Sequence, residues 1–295
     1  MRSCVRKVTS RRDTGSWWMW TWRSFFDRVN HDVLMDRLAK RIADRTVLRL
    51  IRCYLQAGMM AQGVVIERHE GTPQGGPLSP LLANVLLDEV DRELERRGHR
   101  FVRYADDCNV YVRSRRTGER VLESLRELFG RLRLRINAAK SAVASVFERT
   151  FLGYALGRTP EMHRTKRKVA PKALGRLKDR IRQLTRRTRG RSIAEVVKQL
   201  RVYLLGWKSY FRLVQTPSVL ATIDEWLRHR LRQLHLVHWR RGRTTYRELR
   251  ALGATPTLAA TVARYTRSWW RNSAMAINAV LTVAYFDRLG VPRLA

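Results

Sequence analysis

Hydrophobic and polar positions follow two different periods along this chain. Apolar residues at three- and four-residue steps predict two helices within residues 32–57 and an amphipathic helix at residues 118–132. Short runs rich in Val, Ile, Tyr and Phe predict strands at residues 64–66, 101–104 and 109–112. The sequence Ala-Asp-Asp-Cys separates the last two runs, which indicates a hairpin. The first half of the chain therefore predicts a mixture of helices and strands.

Turn and capping residues predict a second group of elements. The Pro- and Gly-rich segment 72–77 predicts a loop. Ser79-Pro80 predicts the start of a helix that runs to about residue 97, with Ser79 as the N-cap. Residues 143–157 predict short strands with glycine bends. From about residue 171 the pattern is almost entirely helical, with breaks near Gly190, Thr216-Pro217 and Gly253.

Residues 1–24 differ from the rest of the chain. The run Trp17-Trp18-Met19-Trp20-Thr21-Trp22 has neither helical nor strand periodicity and contains no turn residue. The run therefore gives no signal for a helix, a strand or a turn, and an orderly pattern begins only at Phe25.

The charge of the chain is large and uneven. Lys and Arg number 60 against 25 acidic residues, a formal net charge of +35. Residues 151–295 hold 31 basic and 7 acidic residues, net +24, whereas residues 1–150 hold 29 and 18, net +11. Because such an excess repels itself in a compact fold, RNA, DNA and anionic membranes are the candidate partners. Arginines interleaved with aromatic residues in the second half favour a nucleic acid.

Cysteine spacing and hydropathy disfavour several classes of protein. Cys4, Cys53 and Cys108 are too far apart to predict disulfides or a zinc site, and they favour a reducing compartment, expected to be the cytoplasm. No apolar run reaches the length of a membrane span, and the basic N-terminus lacks a signal core. Membrane is therefore the weakest of the three candidate partners.

Two adjacent aspartates, Asp106 and Asp107, stand at the tip of the predicted hairpin. Strands disfavour Asp, and neighbouring like charges raise each other's pKa. A divalent cation would relieve the repulsion, since hard oxygen ligands suit Mg²⁺. The pair alone leaves a solvated Asp-Asp turn as the alternative.

The motifs around this pair resemble those of reverse transcriptases. Tyr-Ala-Asp-Asp at 104–107 resembles their active-site signature, and residues 25–32 resemble the end of their first palm motif. Residues 71–80 are similar to the loop and helix that follow that motif. Residues 137–141 and 151–154 are similar to the two motifs after the hairpin. The order and spacing are those of the family.

The residue sequences of these motifs resemble those of the bacterial group II intron-encoded reverse transcriptase/maturases. Segments 204–211, 226–232 and 239–246 are similar to the maturase domain of those proteins. The resemblance covers about residues 25–295 and lacks the family's fingers, which should precede residue 25. It implies a partial right-hand-polymerase palm of the α/β class, followed by an all-α thumb and maturase domain.

That resemblance implies that the chain is encoded by a mobile element and acts in its splicing and mobility. The family's activity is RNA-directed DNA polymerisation, a nucleotidyl transfer, coupled to intron splicing and mobility. The implied partners are group II intron RNA, a DNA target or primer and deoxynucleoside triphosphates, with no membrane. Non-specific binding of any RNA by a polycation remains the alternative for the basic half.

The resemblance also implies roles for single residues. Asp106 and Asp107 would bind the two Mg²⁺ ions of an in-line transfer, and Lys140 would lie near the departing phosphates. Phe26 would exclude a ribose 2′-hydroxyl, and Gln74 would contact the nucleotide or template. Tyr104 completes the expected substrate contacts. A core role for Phe26, an ordinary loop role for Gln74 and a surface role for Lys140 are the alternatives.

The expected RNA-binding residues of the second half are basic or aromatic, and the alternative for any one of them is a solvated helix face. They are Trp207, Lys208, Tyr210, Arg230, Trp239, Arg240, Arg241, Arg243 and Tyr246.

One position departs from the family pattern. The family's polymerases carry a carboxylate six residues before the position of Asp27, and that position here is Thr21. A neutral hydroxyl does not supply the charge that holds two divalent cations. We therefore expect the chain to be defective as a polymerase.

A reading-frame shift would explain the departure. Trp and Met have one codon each, so residues 17–22 are encoded TGG TGG ATG TGG ACN TGG. Read from the third base of each codon, this gives Val-Asp-Val-Asp and then Leu, Met or Val. Arg23-Ser24 can then supply Glu-Lys before Phe25, which completes the family's first palm motif. Our hypothesis fails if no single-base change in the DNA around codons 15–27 restores a longer upstream frame.

These observations divide the chain into an aberrant, frame-shifted leader at 1–24, a palm at 25–160 and a helical thumb and maturase domain at 161–295. Two other interpretations stay open, a non-catalytic RNA-binding splicing factor and a non-functional pseudogene product.

Overall fold

The structure is a computed structural model of the 295-residue chain. It describes residues 18–22, 29–57, 59–61, 64–66, 71, 77–105, 107–134, 141–158, 165–186, 190–265 and 268–295. The chain divides into two compact units. The first, the palm unit, comprises residues 1–149 and 160–164, and the second, the helical unit, comprises residues 150–159 and 165–295.

The palm unit alternates helices with short strands. Its described elements are β1 (Trp18–Trp22), α1 (His31–Ala39), α2 (Arg45–Gln56), β2 (Met59–Ala61), β3 (Val64–Ile66), α3 (Ser79–Arg96), β4 (Arg100–Tyr104), β5 (Asp107–Val112), α4 (Arg115–Arg131) and β6 (Ala142–Ser145).

Four of these strands form one antiparallel sheet in the order β4-β5-β1-β6. The strand Trp18–Trp22 therefore lies inside the sheet, although its sequence has no strand periodicity. Aromatic residues favour strands, and a central strand needs no alternation of polar and apolar positions to be paired on both edges. Periodicity alone cannot detect such a strand.

Side chains at the helix ends explain where the palm helices begin. The side chains of Asn30, Asp44 and Ser114 accept hydrogen bonds from main-chain N–H groups in the first turns of α1, α2 and α4. The amphipathic helix α4 thus starts at Arg115, three residues before the sequence predicts. Its buried positions, Gly118, Val121, Leu125 and Phe129, repeat at three- and four-residue steps.

The predicted N-cap of α3 is wrong. Ser79 is the first residue inside the helix, and the N-cap is Leu78, which makes no side-chain capping bond. Ser79 is buried, and its hydroxyl lies 3.3 Å from the hydroxyl of Tyr54 on α2. The side chain therefore joins two helices instead of capping one.

The helical unit begins with three antiparallel strands and continues with helices. Its elements are β7 (Thr150–Phe151), β8 (Tyr154–Arg158), β9 (Thr165–Val169), α5 (Pro171–Leu184), α6 (Ile193–Tyr210), α7 (Pro217–Trp239), α8 (Gly242–Ala251), α9 (Pro256–Arg264), α10 (Trp269–Asn272), a 3₁₀ turn (Ala276–Ala279) and α11 (Val283–Arg288). The predicted breaks near Gly190, Thr216-Pro217 and Gly253 are confirmed. The strand β9 was not predicted, because its sequence Thr-Lys-Arg-Lys-Val is too basic to give a strand signal.

Each unit has its own hydrophobic core. In the palm unit, fully buried leucines of α1, α2 and α3 join Val110 of β5 and Phe129 of α4. In the helical unit, Ile181, Leu200, Leu227 and Phe286 bring α5, α6, α7 and α11 into one cluster. None of the helices that the structure describes is long and apolar enough to pass through a membrane.

Candidate active-site hairpin and nucleic-acid surface

The predicted hairpin is present as β4 and β5, and its turn is tighter than the sequence suggests. Tyr104 pairs with Asp107, so Asp107 is the first residue of β5 and does not belong to the connection. Ala105 adopts φ of 52°, a left-handed conformation that costs a non-glycine residue about 1–2 kcal/mol. The side chain of Tyr104 is 53% exposed. Asp106 lies outside the described residues.

Arg103 supports this strained turn from within the palm unit. Its guanidinium forms a bidentate pair with Asp91 of α3, with Nη2 2.6 Å from Oδ2 and Nε 2.9 Å from Oδ1. Its Nη1 also donates to Asn84 Oδ1 at 2.6 Å and to the carbonyl of Ala105 at 3.0 Å. Sequence reasoning missed this positioning group. The signal available was an arginine next to the Tyr-Ala-Asp-Asp motif, with Asp91 and Asn84 seven residues apart on the preceding helix.

The strand behind the turn is buried. Cys108, Asn109 and Val110 are completely buried, and Tyr111 and Val112 nearly so. Burial, and then the neighbouring Asp91 carboxylate, raise the pKa of the Cys108 thiol well above its usual value. The thiol therefore stays protonated and acts as a small apolar side chain that fills the core under the turn.

The register of β1 against β5 shows where residue 21 lies relative to Asp107. Thr21 pairs with Asn109, two residues along β5 from Asp107. The family's carboxylate would therefore enter the sheet next to the strand that carries Asp107, and this chain has a hydroxyl residue there. Within the described residues, no three His, Cys, Asp or Glu side chains are grouped as metal ligands. Among the described residues, therefore, Asp107 is the one predicted metal ligand of the hairpin, and Thr21 adds no carboxylate to it.

The other predicted palm residues, Phe26, Gln74 and Lys140, lie outside the described residues. The structure does show hydrogen bonds between described residues of two of their motifs, 25–32 and 71–80. The buried His31 places Nε2 2.7 Å from the carbonyl of Gly71, and the Gly71 N–H donates to the carbonyl of Val29 at 2.8 Å. Gly71 has φ of 86°, which only glycine adopts without strain. The end of the first palm motif and Gly71, the first residue of the motif at 71–80, are therefore hydrogen-bonded to each other.

The predicted RNA-binding residues at the junction of α7 and α8 are on the surface of the helical unit. Arg240, Arg241 and Arg243 are exposed, as is Tyr246. None of these three arginines forms an ion pair in the described part of the chain. Arg240 has φ of 55°, so the chain turns sharply between the helices. Residues 240–246 thus carry three exposed guanidinium groups and one exposed aromatic ring, groups that suit phosphate and base contacts.

The predicted aromatic residues of α6 have a structural role that sequence reasoning did not foresee. Trp207 lies with its ring centroid 4.4 Å from that of Phe211 and is half-buried. The hydroxyl of Tyr210 donates to the carbonyl of Leu152 at 3.0 Å, and that of Tyr154 donates to the carbonyl of Tyr210 at 2.6 Å. These rings attach the β7–β8 hairpin to α6. Tyr210 is nevertheless 54% exposed, so its outer face remains open to a base.

The remaining predicted residues differ in accessibility. Lys208 is exposed and donates to the carbonyl of Arg293 at 2.8 Å. Trp239 is half-buried beside His235, with ring centroids 5.4 Å apart. Arg230 is half-buried, and its Nε donates to the hydroxyl of Thr185 at 2.8 Å. Arg240, Arg241, Arg243 and Tyr246 are therefore exposed neighbours in sequence, whereas Arg230 is half-buried.

Comparison with known families agrees with this architecture. Residues 1–156 match the family model described as "Reverse transcriptase (RNA-dependent DNA polymerase)", so the sheet and its hairpin are the palm of a reverse transcriptase. Residues 174–253 match a second model, "Group II intron, maturase-specific domain". The chain belongs to the family of group II intron-encoded reverse transcriptase/maturases.

Individual relatives match over shorter stretches. Protein YkfC of Escherichia coli K12 is 30% identical over 172 residues, which cover 45% of this chain and 44% of that protein. The group II intron-encoded protein LtrA of Lactococcus lactis is 36% identical over 95 residues, 31% of this chain and 16% of that protein. A solved telomerase of Candida tropicalis, in complex with a telomeric RNA fragment, aligns with 98% of this chain and 50% of its own at 13% identity and a TM-score of 0.44. The chain spans less than half the length of the curated relatives it matches.

Proposed function

We propose that this chain acts by binding group II intron RNA through its helical unit, and that its palm does not polymerise DNA. The observation that carries the first part is the distribution of charge. Residues 151–295 hold 31 basic residues against 7 acidic ones, so most of their cations have no acidic partner within that half. A nucleic-acid strand is the polyanion that a member of this family would meet.

Exposed arginines and a tyrosine localise the proposed RNA surface. Arg240, Arg241 and Arg243 are solvent-exposed and unpaired by carboxylates in the described part of the chain, with Tyr246 exposed on α8. Base stacking on an aromatic ring contributes roughly 1–3 kcal/mol per base, and each neutralised phosphate adds a salt-dependent gain. Unpaired bases occur in the loops and bulges of folded RNA, which are the usual targets of selective recognition.

The second part of the proposal rests on Thr21. In an intact family member, Asp106 and Asp107 would act with a carboxylate at this position to hold two Mg²⁺ ions, and deoxynucleoside triphosphates and a DNA primer would be the substrates. The register beside Asn109 supports the view that no other described residue takes over that position. We propose the bacterial cytoplasm as the site of action. A pseudogene product remains the competing interpretation, and it predicts no selective RNA binding.

Binding of the full chain to two RNAs tests the proposal. The first RNA is the group II intron whose own sequence encodes the chain, and the second is an unrelated structured RNA of equal length. At physiological salt we expect the intron RNA to bind at least about tenfold more tightly, a difference of about 1.4 kcal/mol. Equal affinity and an equal salt slope for the two RNAs would show non-specific polycation binding and would remove the maturase function.

A further inference from the structure

A basic cavity lies at the carboxyl end of α5, where that helix meets the middle of α7 in the helical unit. Its volume is about 340 Å³, at the small end of the range that holds small ligands. Five residues line it, Arg182, Thr185, Arg186, Arg230 and Gln233. Three of the five are arginines and none is acidic, so the cavity is suited to an anion.

The side chain of Arg230 is held in place by two contacts. Its Nε donates to Thr185 Oγ1 at 2.8 Å, and that hydroxyl in turn donates to the carbonyl of Ile181 at 2.7 Å. Its guanidinium carbon lies 5.4 Å from the centroid of the Trp226 ring, within the range of a cation–π contact. In the described part of the chain no carboxylate pairs with Arg230. Its two Nη groups therefore remain available to a ligand.

A second arginine shares the same aromatic ring. The guanidinium carbon of Arg182 lies 5.5 Å from the Trp226 centroid, and its Nη1 forms an exposed pair with Asp179 at 2.7 Å. Burial, and then the charge of Arg182, lower the pKa of Arg230. The two guanidinium groups therefore repel each other, and an anion bound in the cavity would offset that repulsion.

A simpler explanation accounts for only part of this arrangement. Cations near a helix carboxyl end interact favourably with the helix dipole, which explains Arg182 and Arg186 at the end of α5. Arg230 lies in the interior of α7, more than two turns from its last residue, Trp239. The dipole does not explain why this side chain is half-buried and fixed by Thr185.

We propose that this cavity binds one phosphodiester group of a nucleic-acid strand, with Arg230 and Arg186 donating to its non-bridging oxygens and Thr185 positioning Arg230. The planar guanidinium forms paired bonds to phosphate that an ammonium group cannot reproduce. The strand is RNA if the proposed function holds, and the inference deepens that function by adding a phosphate site apart from the exposed junction of α7 and α8.

Binding of fluorescently labelled single strands to the full chain, measured over a range of salt concentrations, tests this inference. We expect Arg230→Gln and Arg186→Gln each to weaken RNA binding about tenfold and to reduce the salt slope by about 0.7, the value for one lost contact to a single strand. Arg230→Lys should retain part of the slope but lose affinity, and Thr185→Val should weaken binding although it removes no charge. Arg264→Gln, which removes an exposed arginine on α9, is the matched control and should change affinity less than twofold.

Equal effects of Arg230→Gln and Arg264→Gln, in variants that melt at the wild-type temperature, would overturn the inference. A DNA strand of the same sequence distinguishes the source of the phosphate. A larger loss for RNA than for DNA supports an RNA strand, whereas a loss for DNA alone contradicts it. If wild-type protein binds intron and unrelated RNA equally, the proposed function fails. In that case the comparison of Arg230→Gln with Arg264→Gln would still test the phosphate site independently of the proposed function.

Discussion

The arginines named below for the palm unit and for the helical unit differ in whether they pair with carboxylates. In the palm unit, arginines of α1, β4 and the α3 helix are paired with acidic residues of α3, as Arg37 is with Glu89 and Arg103 with Asp91. In the helical unit, acidic residues are few, and the exposed arginines at 240, 241 and 243 have no carboxylate partner within the described residues. Internal pairing fixes a structure, whereas unpaired charge remains available to an external polyanion. The comparison suggests that the palm unit supports geometry and the helical unit binds RNA.

The largest expected effect concerns catalysis by the palm. In primer extension on an RNA template with Mg²⁺, the chain should give no product above a double Asp106→Ala, Asp107→Ala control, because Thr21 replaces a metal ligand. Restoring the shifted segment, which puts an aspartate at position 21, should raise extension above that control, and Asp107→Asn in that protein should abolish it. Phe26→Ala in the same protein should relax discrimination against ribonucleotides. Robust extension by the original chain would show that another carboxylate, such as Asp27, replaces the missing one.

The next effect tests the contrast in charge directly. Replacing Arg240, Arg241 and Arg243 together by Gln should weaken RNA binding by about tenfold to hundredfold and lower the salt slope by about 2. The matched control replaces three exposed arginines of the palm helix α4, Arg115, Arg116 and Arg120. It removes the same charge and should change RNA affinity little. Equal losses in the two triple variants, measured by the same titration, would mean that only net charge matters.

A third prediction concerns the pairing inside the palm. Arg103→Gln should lower the free energy of unfolding by about 3 kcal/mol, because it leaves Asp91 half-buried without its cation and frees the carbonyl of Ala105. Denaturant unfolding measures the change. Arg126→Gln on α4 also breaks an ion pair, but its partners are exposed, so we expect a loss below about 1 kcal/mol. Similar losses for both variants would contradict a supporting role for Arg103.

The smallest predicted effect is a pH dependence of the helical unit. Burial, and then the charge of His238, lower the pKa of His235 to about 4. The unfolded chain takes up this proton near pH 6.5, whereas the folded chain does not until about pH 4. Stability is therefore complete above pH 6.5 and falls as the pH drops towards 4, by roughly 2 kcal/mol between pH 6.5 and 5.

His235→Phe removes the titrating group while keeping an aromatic ring beside Trp239, Tyr285 and Phe286. Between pH 6.5 and 5, the free energy of unfolding of this variant should therefore change by roughly 2 kcal/mol less than that of the original chain. An unchanged slope would show that other groups cause the pH dependence.

Sequence patterns predicted the elements that have amphipathic periodicity or clear turn residues. The two helices in 32–57, the helix after Ser79 and the helical region from 171 are confirmed for this reason. The strand Trp18–Trp22 was missed because a strand paired on both edges needs no alternation. The chain's motifs identified the Tyr-Ala-Asp-Asp hairpin, and the structure confirms it. Local motifs could not reveal Arg103, because its partners Asp91 and Asn84 depend on how α3 packs against the sheet.

The roles of the site residues depend on more than their motifs. Tyr210 and Trp207 fit an RNA-binding motif, yet the structure shows that they also hold the β7–β8 hairpin. The roles predicted for Phe26, Gln74, Asp106 and Lys140 stay predictions. The sequence predicts RNA binding by Arg230 only because this residue belongs to a basic segment. Its contact with Thr185 depends on the packing of α7 against α5, which is distant in sequence, and its guanidinium lies near Trp226.

The seating of the β7–β8 hairpin on Phe211 has a practical consequence for dissecting the protein. Gly153 has φ of 77°, and a Cβ atom added there would lie 3.0 Å from the Phe211 ring. A recombinant fragment cut at the sequence-based boundary, residue 161, would lose this hairpin and uncover the ring together with Trp207. Such an exposed aromatic patch promotes aggregation. A fragment that starts at residue 150 keeps the patch covered and is the better choice for expression and crystallisation of the RNA-binding half.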